Sequence, residues 1–304
     1  MKSNNPLRIY IALILAMIFW GLSFIWYKQA YINFKPATVI LFRLFISSPL
    51  LLVSAILLNR LKWPLRKDLK YFLLLALFEP FLYFVGESYG MLYVSSTLAS
   101  ILIATIPLIT PFTGYFFMKE KLTLNNYLGI LVSFSGVVLV ILTESKTGDA
   151  PWFGIVLILM AVLSTLGYTV LLKKLSYHYN ALSIVWFQNF LGGLYFIPLF
   201  LITEFKHIVW SELAPVDFVP IFFLTIFASS LAFLFFVQGV RNIGMTRSVV
   251  FTNFIPIVTA VFAVIILRER LPLIKMAGIF ITVSGLVMSQ VAKFPRKRFV
   301  NKLS

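Results

Sequence analysis

The sequence predicts an all-α polytopic membrane protein whose ten transmembrane helices form two inverted five-helix repeats. Three observations predict it: apolar runs long enough to cross a bilayer, basic residues crowded onto alternate links, and a second half that copies the first. Of 304 residues, 61% are hydrophobic and only 12% are charged. A soluble domain of this length must present a wetter exterior. The apolar runs predict spans near residues 7–28, 36–58, 69–91, 95–118, 124–143, 152–173, 180–203, 216–239, 246–267 and 273–292. Each is close to the length that a tilted helix needs to cross about 30 Å of hydrocarbon. The first span follows Lys2 and Arg8, as a signal peptide would, but runs on into Trp20, Trp26 and Tyr27 with no small-residue cleavage site. It is expected to be retained. The links are short, and no inserted soluble domain is expected.

The net charge of +16 would suggest a nucleic-acid partner in a soluble protein. Here the basic residues sit at helix ends and in short loops, where they anchor and orient spans, so no nucleic-acid partner is expected. With the N-terminus in the cytoplasm, the cytoplasmic links and tails collect 18 Lys and Arg and the outer links 6, leaving Arg43 and Lys275 within spans. That asymmetry predicts both termini inside and an even number of spans. There is no Cys, which removes disulfides and thiolate ligands. His178 and His207 fall in links without ligand-like companions, so neither a metal nor another cofactor is expected.

The internal repeat is the most specific signal. At a shift of 149 residues, Gly90 meets Gly239, Thr97 meets Thr246 and Pro107 meets Pro256. The stretch Lys119-Glu120-Lys121-Leu122 meets Arg268-Glu269-Arg270-Leu271, and Ser135-Gly136 meets Ser284-Gly285. Nearer the start, a shift of 145 to 146 aligns Gly21 with Gly167 and Phe42 with Phe187. The expected division is 1–147 and 148–293 as repeats, with 294–304 a basic cytoplasmic tail. Five spans is an odd number, so the second copy enters the membrane from the opposite side. Inverted repeats of this kind are common among secondary transporters.

At these residues the chain resembles the EamA family of the drug/metabolite transporter superfamily. The resemblance rests on Tyr93-Val94-Ser95-Ser96-Thr97-Leu98-Ala99-Ser100 leading to Pro107, then Glu120, Gly129 and Gly136. It rests equally on the second ordered copy from Gly244 through Pro256 and Glu269 to Gly278 and Gly285. It implies ten helices, cytoplasmic termini, a central cavity between the halves, a bacterial cytoplasmic membrane and export of amino acids or related metabolites. It does not specify a substrate.

Candidate site residues follow from intramembrane charge. Glu79, Tyr83 and Glu87 are spaced by four on the third span, so they share one flank of a helix. Arg43 lies at comparable depth in the second span. Buried charges in a bilayer face a bundle interior or a cavity by default. An Arg43–Glu79/Glu87 ion cluster is expected, either as a structural bridge or as a site for a substrate ammonium group or a competing proton. The second half carries Gln188, Ala228, Ala232 and Phe236 at the matching positions, so the site is expected to be lopsided. Tyr168, Gln188, Asn189, Gln238, Thr252 and Asn253 are candidates to complete it, each with a plain helix–helix hydrogen bond as its alternative. Trp20, Ser23 and Tyr83 are candidates for an amphipathic wall. Pro107 and Pro256 read as paired hinges or as static kinks. Gly86, Gly90, Gly129, Gly136, Gly278 and Gly285 are assigned to close helix packing, with the fifth and tenth spans in contact. Glu120 and Glu269 are expected to be interfacial ion pairs or caps.

No HExxH, paired His ligands, nucleophile with a recognisable base or P-loop occurs, which argues against an intramembrane enzyme or an ATP-driven pump. The expected function is a secondary transporter exporting a small amphipathic metabolite such as an amino acid, driven by proton antiport or by the substrate gradient. A multidrug or cationic-compound exporter is the alternative, and a membrane receptor or scaffold is the alternative of another class. The expected partners are the small-molecule substrate, protons and the lipid bilayer. A monomer is the default, with a homodimer the other possibility.

Overall fold

The structure, a computed structural model, describes residues 6–109, 124–144, 151–208 and 210–291. Ten apolar helical spans run through them, in chain order α1 (Pro6–Ala30), α2 (Pro36–Leu57), α3 (Leu69–Gly90), α4 (Ser96–Ile109), α5 (Leu124–Glu144), α6 (Pro151–Ser176), α7 (Ala181–Thr203), α8 (Pro215–Ile243), α9 (Arg247–Ile266) and α10 (Leu273–Val291). Seven are long and apolar enough to cross a membrane unaided by tilt or neighbours, and α4, α5 and α10 are shorter over their apolar stretches. Large apolar side chains stand outward, among them Ile202 and Leu273, each 82% exposed. A surface this apolar is built for lipid rather than water. The chain is an integral membrane protein.

The packing obeys the repeat. Matching spans are α1 with α6, α2 with α7, α3 with α8, α4 with α9 and α5 with α10. Helix α1 packs on α8 and α9, and its counterpart α6 packs on α3 and α4. Helix α2 packs on α8 and α7 on α3, while the pairs α2–α7, α4–α9 and α5–α10 pack on themselves across the repeat axis.

Hydrogen bonds at both ends of α2 and α7 show that the matched spans are antiparallel. Beyond the C-terminus of α2, the Arg60 carbonyl accepts from Asn180 Nδ2 (2.5 Å) and Ser183 Oγ (3.2 Å) at the start of α7. At the other end, Glu204 follows the last turn of α7 and accepts from the backbone nitrogens of Ala37 (3.0 Å) and Thr38 (2.7 Å). Those amides are among the free donors that open α2. A carboxylate there also lies at the positive end of the helix dipole.

The α5–α10 contact is a seam of small residues. A side chain added at Gly136 would lie 2.5 Å from the Thr282 backbone nitrogen, at Gly285 2.2 Å from that of Ser133, and at Gly129 2.4 Å from that of Ser289. The partner numbers fall as the α5 numbers rise, so this pair is antiparallel too. Gly86 and Gly90 do the same work between α3 and α6, against Leu157, Ala161 and Ile158. Close approach of this kind drives association where lipid removes the hydrophobic drive between helices.

Two spans on each side are broken. In α3, residues Leu77–Leu82 form a π-helical segment in which Glu79 is extended (φ −147°, ψ 119°). Pro80 explains this: its ring excludes the preceding residue from helical geometry and its nitrogen donates no bond. Helix α8 carries a π-helical segment at the matching place, Leu224–Ala232. Helix α4 stops at Ile103 and resumes at residue 106. Helix α9 passes through a 3-10 segment, Val250–Phe254, before α-helix resumes at Ile255. Pro107 and Pro256 therefore lie in the first turn of a restarted segment, where proline is tolerated, and not in the middle of a bent helix.

Glu269 is a cap, as one of the two sequence readings had it. It accepts from the Ser96 backbone nitrogen (3.0 Å) and from Thr97 Oγ1 (2.8 Å), closing the start of α4 from the opposite repeat. Glu120, its repeat counterpart, lies outside the described residues.

Candidate functional site

Between the halves lies a cavity whose walls come from α1, α2, α3, α4, α6, α8 and α9. Its lining follows the repeat residue by residue. Trp20, Ser23 and Phe24 of α1 are answered by Thr165, Tyr168 and Thr169 of α6. Phe84 and Glu87 of α3 are answered by Phe233 and Phe236 of α8, and Ile103 and Ile106 of α4 by Thr252 and Ile255 of α9. The cavity thus sits on the pseudo-two-fold axis, at the depth where α4 and α9 break. It offers water about 70 Å³, room for several molecules at roughly 10–15 Å³ each. A larger solute enters only if the walls part.

Its charge does not follow the repeat. Arg43, Glu79 and Glu87 all line it, at 2%, 7% and 4% exposure, and all three come from the first half. The guanidinium donates from Nε to Ser229 Oγ (2.6 Å) and from a terminal nitrogen to the Tyr27 hydroxyl. It also lies 4.4 Å over the centroid of the Phe84 ring. Ser229 is held in turn by Asn189, whose Nδ2 donates to the Ser229 carbonyl and to Ser47 Oγ, both at 2.9 Å. The Tyr83 hydroxyl donates to Glu87 Oε1 (3.0 Å). The expected direct Arg43–carboxylate bridge is not formed among the described residues. Arg43 turns instead to neutral oxygens of α1 and α8. Intramembrane hydrogen bonds of about 0.6 kcal/mol each fall short of the roughly 2.5–3.5 kcal/mol that a helix-centre arginine costs.

Of the other predicted residues, Trp20, Ser23 and Tyr168 line the cavity. Trp20 is braced by Phe233 and Phe236, with ring centroids 5.2 Å away in each case. Ser23 donates back to the Trp20 carbonyl (2.7 Å), leaving its oxygen as an acceptor. Gln188 stands behind the wall: fully buried, it accepts from the Tyr168 hydroxyl (3.2 Å). Asn253 is buried but does not line the cavity; its neighbour Thr252 does. Gln238 is exposed and borders a separate groove beside Arg8 and Gly239. Its placement in the central site is therefore wrong. Its repeat counterpart Tyr89 also lies outside the lining, so the 149-residue shift already marks this helix face as turned away from the cavity. Sequence reasoning missed Tyr27, Ser229, Phe84, Thr165 and Thr169. Thr165 and Thr169 were within reach, since the repeat assigns them to Trp20 and Phe24. Tyr27 and Ser229 carried no comparable signal.

Among the described residues, no group of three or more His, Cys, Asp or Glu side chains could hold a metal ion. The EamA-like transporter family matches the chain twice, over residues 7–142 and 152–290. The chain belongs to the EamA-like transporter family. It is a membrane transporter, and a small-molecule substrate and the bilayer are its partners. An uncharacterized transporter of Archaeoglobus fulgidus is 30% identical over 290 residues, covering 95% of this chain and 99% of its own. The uncharacterized transporter YetK of Bacillus subtilis is 27% identical over 231 residues, covering 75% of this transporter and 70% of its own length. A solved crystal structure with 14% identity superposes with a TM-score of 0.71 over 95% of this transporter and 98% of that chain, a likeness of fold alone.

Proposed function

We propose that the transporter is a secondary carrier that exports a small amphipathic metabolite, such as an amino acid, by alternating access. Proton antiport or the substrate's own gradient drives it. The observation that carries this reading is the central cavity on the repeat axis, with two carboxylates and one guanidinium in a wall of aromatic, aliphatic and hydroxyl side chains. Carboxylates in a membrane interior bind cationic groups or protons. Broken helices at the same depth supply irregular backbone beside the cavity, where a bilayer tolerates it. Two related halves support exchange of conformations between an inward-open and an outward-open form. The halves divide as residues 1–147 and 148–293, and Pro107 and Pro256, opening the restarted segments of α4 and α9, act as the hinges. The excess of Lys and Arg on one set of links supports cytoplasmic termini in a bacterial cytoplasmic membrane. A single chain encloses the cavity, which supports a monomer.

The aromatic wall and the acidic excess favour a second reading, export of hydrophobic cations. Purified protein in liposomes, given labelled amino acids and organic cations with and without a pH gradient, tests both. Saturable uptake of one class establishes the carrier and selects the reading. Gradient dependence separates antiport from uniport. Absence of saturable uptake across the panel, from protein shown to be folded, overturns both.

A further inference from the structure

The two carboxylates are not equivalent. Glu87 is held by the Tyr83 hydroxyl (3.0 Å) and feels the positive field of Arg43. Glu79 has no hydrogen-bond or ion-pair partner among the described residues, although 7% of it is exposed and that exposed part is toward the cavity. It sits where Pro80 forces α3 out of helical geometry, so its backbone is extended. The charged and titratable groups around it are few. Glu87 and Tyr83 share its helix, Tyr168 faces it from α6, and Arg43 lies in α2. The described cavity residues of α1, α4, α8 and α9 are all uncharged and non-titratable. Glu87 has a hydrogen-bond donor and a cation beside it, which leaves Glu79 as the carboxylate without a donor among the described lining residues. A buried carboxylate without a partner is costly and binds whichever positive group enters. A substrate carboxylate would meet the opposite situation. The one cation among the described lining residues already has Tyr27, Ser229, the Phe84 face and Glu87 around it.

We infer that Glu79 is the single exchange site of the cavity, occupied alternately by a proton or by the ammonium group of an organic monocation, with Glu87 and Arg43 positioning one another. This rests on the carrier reading above and selects its second form, export of organic cations, over its first, export of zwitterionic amino acids. The proton leaves the Glu79 carboxyl as the cation arrives, so one proton is exchanged for each monocation and the cycle moves no net charge.

A matched pair of probes tests it: phenethylammonium, a monocation, and phenylalanine, which differs by bearing a carboxylate. Binding to the purified full-length protein is followed by calorimetry, and proton release by a pH indicator in weak buffer. Wild type is expected to bind phenethylammonium at least tenfold more tightly than phenylalanine and to release protons on binding. Glu79→Gln loses both responses. Glu87→Gln weakens binding but keeps proton release. Should Glu87→Gln fail to fold, Tyr83→Phe removes the hydrogen bond on Glu87 and leaves its charge, and the same retention is expected. Proton release that survives Glu79→Gln, or equal affinity for the two probes, overturns the inference. So does absence of phenethylammonium binding to folded wild type, while saturable uptake of another solute in liposomes would leave the carrier reading standing.

Discussion

Arg43 Nε donates to Ser229 Oγ at 2.6 Å, joining the second span of one repeat to the eighth span of the other at the edge of the cavity. The bond gives the one basic residue of the cavity a fixed direction. It also ties the charged half to the half that carries no charge in the cavity lining.

Arg43→Lys keeps the charge but not the planar fork that reaches Tyr27 and Ser229 together. It is expected to fold and to lose transport at least tenfold, measured as uptake per folded protein in liposomes. Arg43→Ala leaves two buried carboxylates without a cation and is expected to lower the thermal midpoint in detergent as well. Ser229→Ala costs about 0.6 kcal/mol, the value of an ordinary intramembrane hydrogen bond, and leaves the midpoint nearly unchanged.

Gly136→Leu places side-chain atoms where the Thr282 backbone stands, 2.5 Å from the first added carbon. Both sides of that contact are helix backbone, so neither yields by a rotamer change. The expected result is overpacking of about 1–3 kcal/mol, read as a lowered midpoint and loss of the monodisperse peak in size-exclusion chromatography. Gly285→Leu, at the equivalent place on α10, is expected to behave alike. Wild-type behaviour in both would remove the seam from the account of stability.

Glu269→Gln removes the charge that caps α4 while leaving an acceptor. About 0.5–2 kcal/mol of stability is expected to go, as for other lost caps, with the larger loss in Glu269→Ala. The same substitutions at Glu204, which accepts from Ala37, Thr38 and Tyr89, are expected to cost more, because that carboxylate is 3% exposed and has more donors. Thermal unfolding of the four variants side by side is the check.

Trp20→Ala opens the wall opposite Tyr168 and removes the contacts to Phe233 and Phe236. It is expected to raise the half-saturating substrate concentration several-fold. Gln238→Ala, outside the cavity, is expected to change neither affinity nor rate. Equal effects from the two would mean that the transport path does not run through this cavity.

The fold class could be read from the chain because hydropathy and an internal repeat constrain it independently. Intramembrane charge likewise marked Arg43, Glu79 and Glu87, since such residues are too costly to face lipid. Trp20, Ser23, Tyr83 and Tyr168 were legible from depth and helix face. What escaped was the direction in which each polar group turns. Arg43 has a long side chain and several oxygens within reach, and sequence supplies depth without rotamer. Gln238 escaped for a different reason: polarity alone marked it, while its repeat counterpart Tyr89 lies on a face that does not line the cavity.

Glu79 and Glu87 belong to one repeat, and their counterparts are Ala228 and Phe236. In a carrier with identical halves, swapping their conformations would produce two states related by a two-fold rotation, with equal affinity on the two faces of the membrane. Under the alternating access proposed above, the charged wall would travel with one half only, so the inward-open and outward-open forms would present different surroundings to the same carboxylate. Binding and release rates on the two faces would then differ, even though the overall equilibrium is still set by the gradients. Such a carrier is a kinetic rectifier: it would run faster one way than the other under equal and opposite gradients, in a direction set by which half carries the acid.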